Sequence, residues 1–207
     1  HIGKKPLYYS SSGKFFLFNS SIKGIQRATK SKLINNEALA NYLVYGNMFD
    51  EKSIFKEIKQ VLPGEIIIWD SNTGGISSEK FFNLRDQILQ SPDLKVSYRE
   101  LTKILSENIE EVIKSHLCSD VPISVLLSSG IDSKAVTRYS LSANLKAYTA
   151  DFKENHQEII DSKKFSNHFD QLEHEIIKIK EFDIFKILEE IIDFIGEPFA
   201  DASVIPL

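Results

Sequence analysis

The stretch "VPISVLLSSGIDSKAV", residues 121–136, decides how the rest of the chain is read. Its apolar run at 123–127 has the length and β-branched content of a buried strand. Three small polar residues, Ser128, Ser129 and Gly130, follow, and then Asp132 and Ser133 open a helical pattern. In open parallel sheets, ligands sit beyond the carboxyl ends of the strands, where loops enter helices. Successive backbone N–H groups in a tight turn, followed by the positive end of a helix dipole, cradle an anion. Ser128, Ser129 and Ser133 add hydroxyl donors. Asp132 would repel a bare phosphate but suits a divalent cation that accompanies one. The combination points to a nucleotide with magnesium. A plainer alternative is an N-cap, in which Ser128, Ser129 or Asp132 satisfies orphan N–H groups for about 1 kcal/mol. Local chemistry leaves both readings open. Neither the G-x-x-x-x-G-K-[ST] loop nor the G-x-G-x-x-G turn is present.

Outward from the loop, the pattern alternates. Upstream, "YRELTKILSENIEEVIKSHL" repeats Leu101, Ile104, Leu105, Val112, Ile113 and Leu117 at helical spacing, which predicts an amphipathic helix facing a core. Downstream come a helix from about Ser133, a strand in "LKAYTADF", a helix in "EIIDSKKFSNHF", a strand in "HEIIKI" and a helix in "FDIFKILEEIIDFI". Strands alternating with helices argue for βαβ units on a parallel sheet.

The first part of the chain reads differently. "PLYYS" and "KFFLFNS" flank the Gly-containing turn "SSGK", and "VLPGEIIIWD" runs into "SNTGG", so two antiparallel hairpins are predicted. Between them, "NNEALANYLVYGN" predicts a helix capped by Asn35 or Asn36, with Leu39, Leu43 and Val44 on one face and Gly46 at its end. Residues 83–97 turn polar around Pro92, and the period changes on either side. The expected organisation is therefore an antiparallel-sheet domain over 1–90 and the start of a parallel-sheet α/β domain over 91–207.

Composition narrows the class. With 207 residues, 42% of them hydrophobic, the chain is long enough to bury a core. Its 29 acidic and 25 basic residues give a net charge of -4 with no long block of one sign, so neither nucleic acid nor an anionic membrane is an expected partner. Cys118 is the single cysteine, which rules out an intramolecular disulfide framework, and no apolar run is long enough to cross a bilayer. A cytoplasmic protein is the expectation. His116, His156, His168 and His174 lack metal-ligand spacing with Cys118 or with one another. The chain opens on His1 and stops at "ADASVIPL", which suggests a piece of something longer.

"LLSSGIDS" resembles the S-G-G-x-D-S pyrophosphate loop of the ATP-pyrophosphatase superfamily. "GKKPLYY", "LFNSSIKGI", "NEALANYLVYG", "SIFKEIKQVLPGEIIIWD", "SDVPISVLLSSGIDSKAV" and "GEPFADASVIPL" are similar, in order, to segments of glutamine-hydrolysing asparagine synthetase. The resemblance implies the back part of an Ntn-type glutaminase domain, with its nucleophilic cysteine upstream of His1, followed by the front of an ATP-pyrophosphatase domain. It implies a ligase that adenylates a carboxylate, aspartate above all, releases pyrophosphate and amidates the carbonyl with ammonia from glutamine. ATP and Mg²⁺ are the implied cofactors, and a homodimer is compatible with it. By the same resemblance Leu127, Ser128, Ser129, Gly130, Asp132 and Ser133 form the ATP loop, Asp132 is a magnesium ligand, Ala150 touches adenine and Glu197 lies close to the reaction centre.

The sequence departs from that family's pattern twice. Ser129 replaces the first Gly of S-G-G. If that position needs a left-handed backbone, a side chain costs about 1–2 kcal/mol, and in any conformation it narrows the space for phosphate. Asp151 stands where a Gly is common. Relatives of the same architecture act on other acceptors, as in β-lactam synthetases, peptide cyclases and sugar amidotransferases. A non-catalytic relative with a decayed nucleotide site is a further alternative.

Overall fold

The computed structural model describes residues 1–93, 95–152, 156–179 and 184–201. These fall into two compact units, one of His1–Pro92 with residues 184–201 and the other of the described residues from Asp93 to 179.

In the first unit, β1 (Tyr8–Ser11) pairs antiparallel with β2 (Phe16–Asn19), so the predicted hairpin is present. Two helices follow, α1 (Ile22–Thr29) and α2 (Asn36–Tyr45). Asn35 caps α2, its side chain accepting from the N–H groups of Glu37 and Ala38, and Gly46 ends it. The apolar face of α2 departs from expectation. Leu39 packs on the core and Ala38 is fully buried, but Leu43 and Val44 are 73% and 71% exposed. The sheet is completed by β3 (Lys59–Gln60), giving the order β2-β1-β3. A second hairpin joins β4 (Glu65–Trp69) to β5 (Ile76–Lys80) in antiparallel register from Glu65↔Lys80 to Trp69↔Ile76. A short helix, α3 (Leu84–Gln90), occupies the stretch read as a polar boundary, its N-terminus capped by Asn83.

The core of this unit joins Tyr8, Ile22, Ile25, Ile54 and Ile58, with Leu17, Leu39, Met48 and Phe55 around them. Ile22, Ile25 and Ile58 are almost fully buried, and each such side chain contributes about 1.5–3 kcal/mol by leaving water. A stacked row of rings, Tyr9 on Phe16 at 5.6 Å and Phe16 on Trp69 at 5.9 Å, links the two sheets.

The second unit opens with α4 (Tyr98–His116), where Ser97 and Glu100 form a reciprocal capping box. The helix is present, but its stripe is not buried: Leu101, Ile104, Leu105 and Val112 are 38–56% exposed, and no α4 residue is buried among the described residues. A periodic stripe requires an apolar neighbour; α5 (Ile131–Ser140) covers only part of it, with Ser106 and Tyr139 sharing a hydrogen bond of 2.5 Å. The expected parallel sheet is present, with β6 (Ser124–Leu126), β7 (Lys146–Asp151) and β8 (Glu173–Lys178) lying in that order and α6 (His156–Ser166) connecting the last two. Val125, Leu127, Leu145, Ala147 and Leu172 form its core.

The last described helix is α7 (Ile184–Ile195), which packs on α1 in the first unit, where Lys23 pairs with Asp193.

Candidate functional site

The loop after β6 begins where its ladder ends. Leu127, 2% exposed, donates its N–H to the Tyr148 carbonyl at 2.8 Å. Its own carbonyl accepts from the Thr149 hydroxyl at 2.5 Å instead of from the next backbone N–H. The chain then turns around the Ser133 hydroxyl. That oxygen accepts the Ser128 N–H at 3.1 Å, lies 2.8 Å from Ser128 Oγ, and reaches the Gly130 carbonyl at 3.1 Å and the Ser128 carbonyl at 3.2 Å. The Gly130 N–H in turn donates to Ser128 Oγ at 3.2 Å.

These hydroxyls tie the loop to itself and leave the helix uncapped. Gly130 is the N-cap of α5, at φ -67° and ψ 153°, and no side chain accepts from the first turn. The N-cap alternative is therefore not what Ser128, Ser129 or Asp132 does. A helix start whose first N–H groups lack an intrahelical partner carries partial positive charge. Here it opens between exposed Gly130, Ile131 and Asp132.

Ser129 does not have a left-handed backbone, so the strain considered above does not arise. Gly130 does not need φ above zero either. A Cβ on it would come 3.2 Å from Ser128 Oγ, so what glycine supplies in this loop is room. Ser129→Gly is accordingly expected to change stability by no more than about 1 kcal/mol and to widen the room for an anion at the helix start. Unchanged phosphate affinity in titration calorimetry would show that the Ser129 hydroxymethyl group stays clear of the anion.

Ala150 lies at the same end of the sheet. In β7 the Tyr148 carbonyl faces β6 and the Asp151 carbonyl faces β8, where it accepts from Ile179 at 2.9 Å. By alternation Ala150 turns its N–H and C=O toward the β6 side, beyond the last β6 residue paired in the ladder, Leu126. Asp151 ends the strand in register with Lys178. Behind Leu127 runs a connected set that the sequence did not single out. Thr149 donates to Leu127, His174 Nε2 is 2.8 Å from the Thr149 hydroxyl, and His174 Nδ1 is 2.8 Å from Ser166 Oγ. The Thr149 hydroxyl donates to Leu127 and so can accept from His174 Nε2, while Ser166 Oγ lies within reach of both His174 Nδ1 and the Lys163 carbonyl, the latter at 3.1 Å. Burial, and then the nearby charge of Lys163, lower the His174 pKa and favour the neutral ring.

Asp132 sits in the first turn of α5, exposed, beside the uncapped N-terminus. Among the described residues no cluster of three or more His, Cys, Asp or Glu could hold a metal by itself. A single carboxylate fits magnesium, which keeps waters and takes its other oxygens from phosphates.

Glu197 belongs to the first unit and the loop to the second. Its Oε1 accepts from the Tyr8 hydroxyl at 2.8 Å, while Oε2 is buried without a hydrogen-bond partner among the described residues. Burial pushes its pKa above the ordinary value of 4.5, and the Tyr8 hydroxyl and then the Ile54 backbone pull it back. Burial also raises the Tyr8 phenol, with the charge and hydrogen bond of Glu197 adding to it. A carboxyl with a raised folded-state pKa contributes most stability when both folded and unfolded forms are protonated. That contribution is lost as pH rises from the unfolded value through the folded one. Glu197→Gln is therefore expected to melt above the parent at pH 8, with the advantage gone at pH 4. An advantage that does not change with pH would show that Glu197 ionises as an ordinary carboxylate.

Residues 1–82 match the family model of a glutamine amidotransferase domain, and residues 105–207 match that of asparagine synthase. The chain is similar to the putative glutamine-hydrolyzing asparagine synthetase 2 of Methanocaldococcus jannaschii, at 26% identity over 99% of this chain and 40% of the relative. It is also similar to the glutamine-hydrolyzing asparagine synthetases 1 and 3 of Bacillus subtilis. Both are 26% identical, over 99% and 74% of this chain and 32% and 25% of the relatives. A glutamine amidotransferase segment thus precedes an asparagine synthase segment. The chain belongs to the asparagine synthetase family, and it spans less than half the length of the relatives it matches.

Proposed function

We propose that this chain is part of an ATP-dependent amide-forming ligase that adenylates a carboxylate, aspartate in the first instance, and amidates it with ammonia released from glutamine. The observation that carries the reading is the uncapped N-terminus of α5 with Asp132 beside it, at the carboxyl end of a parallel sheet. Bound ATP supplies a phosphorus at which the acceptor carboxylate displaces pyrophosphate, and ammonia then displaces AMP to leave the amide.

The chain's own groups have these roles. The Ser128–Ser133 turn, held closed by the Ser133 hydroxyl, presents N–H groups and hydroxyls to the phosphates, with Leu127 fixed behind it. Gly130 keeps the approach open. Asp132 would hold Mg²⁺, whose charge would offset that of the phosphates. Ala150 offers one N–H and one C=O on the β7 edge, a donor–acceptor pair that complements an adenine edge. Glu197 serves the acceptor side. The amidotransferase-type segment, read as part of an Ntn-type fold, supports glutamine as the nitrogen source, and the names of the relatives, asparagine synthetases, support aspartate as acceptor. The unstrained Ser129 favours a working nucleotide loop over a decayed one.

The test is to give the full-length protein ATP, Mg²⁺, glutamine and a panel of carboxylic acids, aspartate included, and to measure pyrophosphate and AMP. Equal release of both with one acceptor is expected. No release with any acceptor, together with no ATP-induced thermal shift, would sink the reading.

A further inference from the structure

Tyr8 and Glu197 are 189 residues apart in sequence, and their hydrogen bond lies inside one compact unit. Tyr8 falls in the segment matched to glutamine amidotransferase and Glu197 in the segment matched to asparagine synthase. Tyr8 is 8% exposed and sits in the unit's core with Ile22 and Ile58, so its ring has little freedom to swing away. Its hydroxyl donates to one oxygen of the Glu197 carboxyl, and the other oxygen is buried without a hydrogen-bond partner among the described residues. Beside the pair opens a cavity of about 580 Å³ whose lining includes Tyr42, Tyr45, Gln60, Phe199 and Asp201.

We propose that Tyr8, a residue of the amidotransferase segment, is the positioning residue for the Glu197 carboxyl, fixing its orientation and favouring its ionised form for the amide-forming step. The inference rests on the reading of Glu197 as a group on the acceptor side. Orientation follows from geometry: one oxygen is pinned at 2.8 Å by a ring locked in the core, so the other is fixed as well. Ionisation follows from chemistry. A hydroxyl that donates to a carboxylate stabilises the charged form, and in a desolvated place that donation has the most effect. The other groups nearby are the Ile54 N–H, which acts in the same direction, the phenols of Tyr42 and Tyr45 on α2, and the Asp201 carboxylate on the cavity wall.

The consequence can be measured without glutamine. In the full-length enzyme supplied with ammonia, Tyr8→Phe is expected to lower kcat at neutral pH about tenfold, as for loss of one hydrogen bond to a charged group. KM for ATP should be unchanged, and the ascending limb of the kcat–pH profile should move to higher pH. A fluorinated tyrosine at position 8, a stronger donor of the same shape, should move that limb to lower pH, and it serves if the Phe variant does not fold. Glu197→Gln, measured alongside, separates the two ideas. If it keeps full ammonia-dependent activity, the acceptor-side reading of Glu197 fails. If it is inactive while neither change at position 8 moves the limb, that reading stands and the role given to Tyr8 is overturned.

Discussion

Asp132→Ala in the full-length protein is expected to lower Mg²⁺-dependent pyrophosphate release by about 100-fold or more with every acceptor, because metal-held phosphate charge is worth several kcal/mol in a transition state. Glutamine hydrolysis should survive. The effect is electrostatic. Asp132 sits in the first turn of α5, where an anion is attracted by the helix terminus and repelled by the carboxylate. A cation between the two turns the repulsion into attraction. The variant therefore carries a sign test that a structural lesion would not reproduce. In EDTA it should bind ATP at least as tightly as the parent, and in Mg²⁺ more weakly. Weaker binding under both conditions would remove Asp132 from the role of metal ligand.

A large loss of stability is expected from a side chain at Gly64. Its backbone is left-handed, at φ 71°, and a Cβ there would lie 2.2 Å from the Phe82 carbonyl oxygen. The Gly64 carbonyl also accepts from the N–H groups of Phe81 and Phe82, at 2.9 and 3.2 Å, which closes the end of the β4–β5 hairpin. Gly64→Ala pays the left-handed cost of about 1–2 kcal/mol. Because the clash is with backbone, relief means moving Phe82 and weakening both hydrogen bonds, each worth roughly 1 kcal/mol. A loss of about 3–4 kcal/mol, or roughly 10 °C in melting temperature, follows. Urea unfolding that places the variant within about 0.5 kcal/mol of the parent would show that the turn adapts without cost.

The elements that the sequence revealed are those whose signal is local. The Gly-containing turn before Phe16, the Asn35 cap and the strand–helix alternation around "LLSSGIDS" needed no knowledge of distant neighbours, and they stand in the structure. What periodicity could not supply was the partner. Leu43 and Val44 continue an apolar pattern, yet α2 turns Ala38 and Leu39 inward and leaves the other two exposed. The α4 stripe announces a need for cover without saying how much of it α5 meets. Helix α3 was hidden because four of its seven residues are polar and none of them is buried.

In the candidate site, residue types placed the loop but not its internal bonding. Nothing in the order of letters distinguishes a serine that caps a helix from one that closes the turn before it, and only the distances around Ser133 separate the two. Tyr8 was invisible for a different reason. A tyrosine in an alternating strand reads as core, and its partner lies 189 residues away.

The hydroxyl at Ser133 has a kinetic consequence. A loop already folded on its own hydrogen bonds has lost its conformational freedom during folding, so a nucleotide that reaches it has little left to organise. Association should then follow a single concentration-dependent phase set by diffusion and charge, with no slower closing step, and differences in affinity among loop variants should lie in the rate of departure.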